Sequence, residues 1–300
     1  MANVYSETYT TAGNNYLIFI NATGSSTYFL DETNTIDAVK TDDTGAALNT
    51  EVINDVIKIT FSSTDYLLLL SDSYLANYDL TNDNWNIYNS SSFLTNSDIT
   101  TSLGFIPKKM SYFKETTNEY IVFENAVSGV GSYNMTTDTW HAYNSGTGIS
   151  YDAISNGVLT VGDPVKIIAD ENNIYLFFIH TTDVAAYFEG TWYSYNSGNG
   201  IEHSDPLDGS IINDGVFYQG IDRKYLVIAG EDGKISYYDT LADTWTLYSA
   251  DTWLAKNDLF HDLRDIEVLK QMPYTPILYA AGQDECIASF DGTTWNFTEE

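Results

Sequence analysis

Positive charge is scarce in this sequence. Its 300 residues hold 12 Lys and Arg against 42 Asp and Glu, a formal net charge of −30. Only Arg223 and Arg264 are arginines. A nucleic-acid interface neutralises phosphates with a basic footprint, and this chain offers no cluster from which to build one. An anionic membrane surface is disfavoured for the same reason. Cysteine is reduced to Cys286, which excludes an intramolecular disulfide and a cysteine metal cluster. Proline occurs five times, and no Ser/Pro or Gly/Ser stretch marks a linker. Residues 1–300 therefore read as a single domain. Long apolar runs are missing too: those at 66–70 and 174–179 are too short to cross a bilayer. The opening Met-Ala-Asn-Val-Tyr-Ser-Glu lacks the basic start and apolar run of a signal peptide. These absences predict cytoplasmic synthesis and no membrane insertion.

What is abundant is aromatic. Fifteen per cent of residues are Phe, Trp or Tyr, with 24 Tyr, and this favours strands over helices. An apolar run recurs six times: YLIFI at 16–20, YLLLL at 66–70, YIVFE at 120–124, IYLFF at 174–178, YLVIA at 225–229 and ILYAA at 277–281. Each follows a polar turn and lacks helical spacing, so each reads as a buried strand. A second run follows, ending in Tyr28, Tyr78, Tyr133, Tyr187, Tyr238 or Phe290. A tight polar turn then leads to Trp85, Trp140, Trp192, Trp245 or Trp295, while the first copy has no Trp. A further strand precedes each apolar run. Four short strands per copy make one propeller blade. The pattern predicts an all-β, single six-bladed β-propeller with four antiparallel strands per blade, its repeats near 3–40, 52–88, 108–143, 164–195, 215–248 and 265–300.

The segments YDLTNDNW at 78–85, YNMTTDTW at 133–140 and YDTLADTW at 238–245 resemble the kelch repeat, whose period is near fifty. Kelch repeats also carry a Gly pair after the second strand, a place approached here only by Ala229-Gly230 and Ala281-Gly282. The resemblance implies blade design and, because propellers host many functions, no particular activity.

Blade topology puts the long connections at 89–107, 144–163, 196–214 and 249–262 on one face, where binding sites usually sit. Each of these segments carries an aspartate: Asp98, Asp152, Asp205 and Asp258. Four such carboxylates are candidate oxygen ligands for Ca²⁺ or another hard cation. The competing reading has each Asp accept hydrogen bonds from its own loop, and no calcium-loop spacing is present. His203 and His261 lie beside acids in the same loops, without a metal-ligand spacing. Trp253 stands outside the repeat pattern, in a loop where Phe93, Ile149 and Ile201 occupy similar places. It reads either as an exposed partner anchor or as the plug that pins its loop. The repeated Tyr and Trp invite carbohydrate stacking, but their recurrence in every blade favours packing between blades.

Enzymatic readings are tested by subtraction. A sialidase-type propeller needs an arginine triad, and this chain has two arginines in all. No Gly-x-Ser-x-Gly elbow, phosphate loop or dinucleotide fingerprint occurs. The leading expectation is a non-enzymatic structural or interaction propeller. Its composition resembles that of a phage or viral virion component (tail, nozzle or capsid-associated) whose partners are other proteins of an assembly, with no cofactor. A carbohydrate-binding or adhesive module using the long-loop face is the alternative. A glycoside hydrolase with paired carboxylates is the third.

Overall fold

Short runs of Tyr, Leu, Ile, Val and Phe between polar turns fold as strands, because branched and aromatic side chains fit a pleated, half-buried surface. A computed structural model describes residues 4–11, 14–21, 27–30, 36–37, 52–82, 84–86, 94–96, 99–125, 129–142, 149–150, 164–170, 175–188, 190–193, 206–219, 224–248, 263–269, 277–282, 287–290 and 295–298. Among the described residues the strands join in chain order into six four-stranded antiparallel sheets. The chain divides into two compact units, 1–151 and 152–300.

The first unit holds three sheets. Sheet one is β1 (Val4–Thr11), β2 (Asn14–Asn21), β3 (Thr27–Leu30) and β4 (Ile36–Asp37). Sheet two is β5 (Ile53–Phe61), β6 (Thr64–Ser71), β7 (Leu75–Asp79) and β8 (Asn84–Asn86). Sheet three is β9 (Lys109–Lys114), β10 (Glu119–Asn125), β11 (Gly129–Asn134) and β12 (Thr139–His141). The connection at 89–107, expected as loop, contains a five-residue helix, α1 (Ile99–Leu103), whose Ile99 and Leu103 are buried.

In the second unit, sheet four is β13 (Pro164–Ala169), β14 (Tyr175–His180), β15 (Val184–Phe188) and β16 (Thr191–Tyr193). Sheet five is β17 (Ile212–Gln219), β18 (Lys224–Gly230), β19 (Ile235–Asp239) and β20 (Thr244–Tyr248). Sheet six is β21 (Leu263–Leu269), β22 (Ile277–Gly282), β23 (Ile287–Phe290) and β24 (Trp295–Thr298).

Among the described residues, shared cores join sheets two and three, four and five, and five and six. Leu68 and Leu70 of sheet two pack with Ile121, Phe123 and Tyr133 of sheet three. Phe177 and Ile179 of sheet four meet Leu226, Ile228 and Tyr238 of sheet five. The opposite face of sheet five presents Val227 and Ala229 to Leu278 and Ala280 of sheet six. A strand buried on both faces has no polar side to alternate with, which is why β18 is a continuous apolar run.

Each sheet is a meander, so its ends differ. The entry to the first strand, the second-to-third turn and the exit of the fourth strand share one end, called here the connection end. The other two turns share the turn end. Four first strands slip register near their start, at Ile53/Asp55, Pro164/Lys166, Ile212/Asp214 and Leu263/Asp265. Apolar patterning places the fifth and sixth repeats at 215 and 265, but their strands start at Ile212 and Leu263. The extra bulge residue, Asn213 or Arg264, breaks the period-two alternation from which a strand is read.

Candidate functional site

The repeated Tyr-to-Trp segment has a structural explanation at the turn end. Asp79, Asn134 and Asp239 close their third strands and accept backbone N–H bonds from the residues two and three further on. Thr81 and Asn82 donate to Asp79, both at 2.9 Å; Thr136 and Thr137 donate to Asn134 at 2.9 and 3.1 Å; Leu241 and Ala242 donate to Asp239 at 2.9 and 3.0 Å. This is the Asx turn, in which a short side chain replaces a backbone acceptor. Four residues on, Asp138 and Asp243 adopt left-handed backbone with φ of 55° and 54°. Their carboxylates accept the hydroxyls of Tyr133 and Tyr238, both at 2.6 Å. Tyr133 pairs across strands with Trp140, and Tyr238 with Trp245, with ring centroids 4.7 and 5.4 Å apart. Burial, followed by the hydrogen bond to Asp138, raises the Tyr133 phenol above its ordinary value. Tyr78, Tyr133 and Tyr238 are at most 2 % exposed. They are packing residues and offer no face to a sugar.

The connection end is built differently. Leu94, Ile149 and Leu207, all in connections, are buried at 1 % exposure or less. Leu94 lies six residues after Tyr88 and Ile149 six after Tyr143, so equivalent apolar positions plug these two loops into the sheets. Asn96 forms an antiparallel bridge with Leu75, and the Asn77 amide donates to the Leu94 carbonyl. Asp72, in the turn between β6 and β7, gathers Asn54 at 2.7 Å and Lys108 at 2.6 Å on one carboxylate oxygen. Burial pushes the Asp72 carboxyl up, but these two hydrogen bonds and the Lys108 charge outweigh it and hold it below the usual carboxylate value. In sheet five the Ser210 hydroxyl donates to Asp232 at 2.8 Å, and the Lys234 ammonium to the Asp208 carbonyl at 2.8 Å. Gly230 lets this loop close: a Cβ there would stand 2.0 Å from the Ile211 carbonyl oxygen and 2.6 Å from Leu207 Cδ1.

The first strands are balanced in charge, unlike the rest of the chain. The six first strands hold five basic residues (Lys58, Lys109, Lys114, Lys166, Arg264) and five acidic ones (Glu7, Asp55, Asp214, Asp265, Glu267). The other seven basic and thirty-seven acidic residues carry the whole net charge of −30. Within the first strands, Asp55 and Asp214 each reach the neighbouring sheet. Asp55 accepts the Met110 backbone N–H at 2.8 Å. Asp214 accepts that of Ile266 at 3.1 Å and pairs with Lys166 at 3.1 Å. Sequence reasoning passed over both, although Ile-Asn-Asp at 53–55 and again at 212–214 is the signal that marks them.

The residues singled out from sequence, Asp98, Asp152, Asp205, Asp258, Trp253, Phe93, His203 and His261, lie outside the described residues, as does Cys286. His141, on β12, is half-buried, and burial lowers its imidazole below the usual value. His180, at the end of β14, is 1 % exposed. Among the described residues no three His, Cys, Asp or Glu side chains gather as a metal site, and no described helix is long and apolar enough to cross a membrane.

No protein-family model matches the chain, and no curated protein matches it in sequence. Solved structures do. YCF48 from Cyanidioschyzon merolae superposes with a TM-score of 0.62 at 12 % identity, over 99 % of this chain and 85 % of that one. BBS1N, solved in complex with ARL6DN, gives 0.58 at 11 % identity over 94 % and 76 %. The sheets are of β-propeller type. The extracellular domain of a putative hybrid two-component system from B. thetaiotaomicron gives 0.56 at 12 % identity, over all of this chain and 33 % of that longer one. At such identities the likeness concerns the fold alone.

Proposed function

We propose that the chain is a six-bladed, kelch-like propeller that serves as a non-enzymatic interaction platform in a protein assembly, with the connection end as its working face. The observation that carries this reading is the contrast between the two ends. The described turn-end motifs spend their aromatic and acidic side chains on holding the fold, whereas the connection end combines pinned loops with surface acids such as Asp208 and Glu231. A rigid, elaborated surface on a regular frame is the usual arrangement for recognition. BBS1N, of similar fold, was solved with a protein partner, which agrees with this class of role. Among assemblies, a phage or viral virion component fits the composition, rich in Asn, Thr, Ser and Tyr and poor in Lys and Arg. An acidic surface there would keep DNA from adhering.

The test is cross-linking mass spectrometry with a carboxylate-reactive reagent on the native assembly from the source cells. The expected result is co-sedimentation with particles and cross-links from connection-end acids to a second protein. Recovery only as a free, uncross-linked chain overturns the assembly reading. A glycan-array signal abolished by Trp253→Ala would establish the adhesive alternative instead, and glycoside turnover would establish the hydrolase.

A further inference from the structure

Each sheet presents the free edge of its first strand, and backbone N–H groups along such an edge need acceptors. At two sheet junctions the acceptor is a carboxylate from the first strand of the preceding sheet. Asp55 Oδ2 takes the Met110 N–H at 2.8 Å while its Oδ1 takes the Val56 N–H at 3.0 Å. Asp214 Oδ2 takes the Ile266 N–H at 3.1 Å while its Oδ1 takes the Lys166 ammonium at 3.1 Å. Asp214 thus ties sheet four to sheet five and sheet five to sheet six. Both aspartates directly follow a bulge residue, Asn54 or Asn213, and a bulge re-aims the side chain beside it.

We propose that Asp55 and Asp214 are carboxylate clasps that make the sheet-to-sheet junctions of this propeller acid-sensitive, so that acid loosens neighbouring sheets before the sheets themselves melt. An ionised carboxylate accepts through both oxygens, which these donors require. Protonation places a hydrogen on one oxygen and removes the charge that holds Lys166. The donors favour the ionised form, so the clasp is closed at neutral pH and opens as pH falls. The other ionisable residues of the packed elements are few. Around Asp55 they are Lys58 on β5, Asp65 and Tyr66 on β6, and Lys109, Tyr112 and Lys114 on β9. Around Asp214 they are Tyr218 on β17, Lys166 on β13, Tyr175 and His180 on β14, and Lys224 and Tyr225 on β18, while the β21 sequence carries Arg264, Asp265 and Glu267.

Amide hydrogen exchange reports local opening directly. In the wild-type chain, the Met110 and Ile266 amides should exchange about tenfold faster at acid pH than at neutral pH, after correction for intrinsic rates. The Ile121 and Leu226 amides, inside their sheets, should hold. Asp55→Asn should show the fast Met110 exchange already at neutral pH, with no further acid response, and should leave Ile266 unchanged. Asp214→Asn should do the converse. Should Asp214→Asn fail to fold, the wild-type pH series and Asp55→Asn decide. Acid-independent protection at Met110 and Ile266, or an Asn variant that responds to acid like wild type, overturns the proposal.

Discussion

Asp138 and Asp243 do two things at once: each accepts a buried tyrosine hydroxyl and each holds φ near +55°. Left-handed backbone is disfavoured for residues with a Cβ, least so for Asp and Asn. Asp138→Ala should therefore lose both contributions, about 1–3 kcal/mol for the orphaned hydroxyl plus a backbone penalty. Asp138→Gly should recover only the backbone part, and urea unfolding of both variants checks the order. Equal stability of all three chains would refute the role assigned to this turn. The tyrosines set a further expectation. Burial, reinforced at Tyr112 by Glu119 and at Tyr133 by Asp138, raises these phenols above their ordinary value of 10.0. A raised folded value means the unfolded chain ionises first, so this stability is full below pH 10 and drains away as pH rises beyond it. Unfolding free energy followed against tyrosinate absorbance should show the loss, and Tyr133→Phe should reduce it. The Tyr and Trp of this motif were legible as scaffold because they recur. The part played by Asp138 was not, since a sequence names a turn residue without giving its φ or its partner.

At the scale of elements, the strands with unbroken apolar runs could be read directly. β6, β10, β14 and β18 lie where their apolar runs place them. The starts of β17 and β21 could not, because a bulge inserts one polar residue and inverts the apparent alternation. The candidate site was legible only as a face: topology puts the long connections at one end, but which loop residues are plugs depends on packing. Leu207 shows the point, a loop leucine with 0 % exposure. Leu207→Ala should cost about 2–5 kcal/mol, as a core leucine would, despite its place in a connection. Gly230→Ala should also destabilise, by overpacking instead of by a cavity. Its Cβ would meet a backbone carbonyl at 2.0 Å, and backbone cannot yield as a side chain can, so about 1–3 kcal/mol or more is expected. Thermal melts of both variants measure the cost. A Gly230→Ala chain as stable as wild type would mean that the loop does not close over the sheet in this way.

At the scale of the whole chain, a charge of −30 repels itself. Raising salt from about 0.05 to 0.5 M should raise the melting temperature, because screening relieves that repulsion. Exposed pairs such as Lys114–Glu119 at 2.6 Å lose little in exchange. A melting temperature that falls with salt would mean that attractive pairs dominate. The first strands are themselves balanced, five basic residues against five acidic, so the excess negative charge lies in the rest of the chain. Tyr133 and Trp140 pair across a turn two residues longer than the one that pairs Tyr187 with Trp192, where Gly190, at φ 81°, takes the left-handed position. Removing two residues preserves which face each side chain occupies. The outer hairpin is thus a cassette of variable length with fixed ends, and copies of the repeat can gain, lose or exchange it by recombination without disturbing the strands it joins.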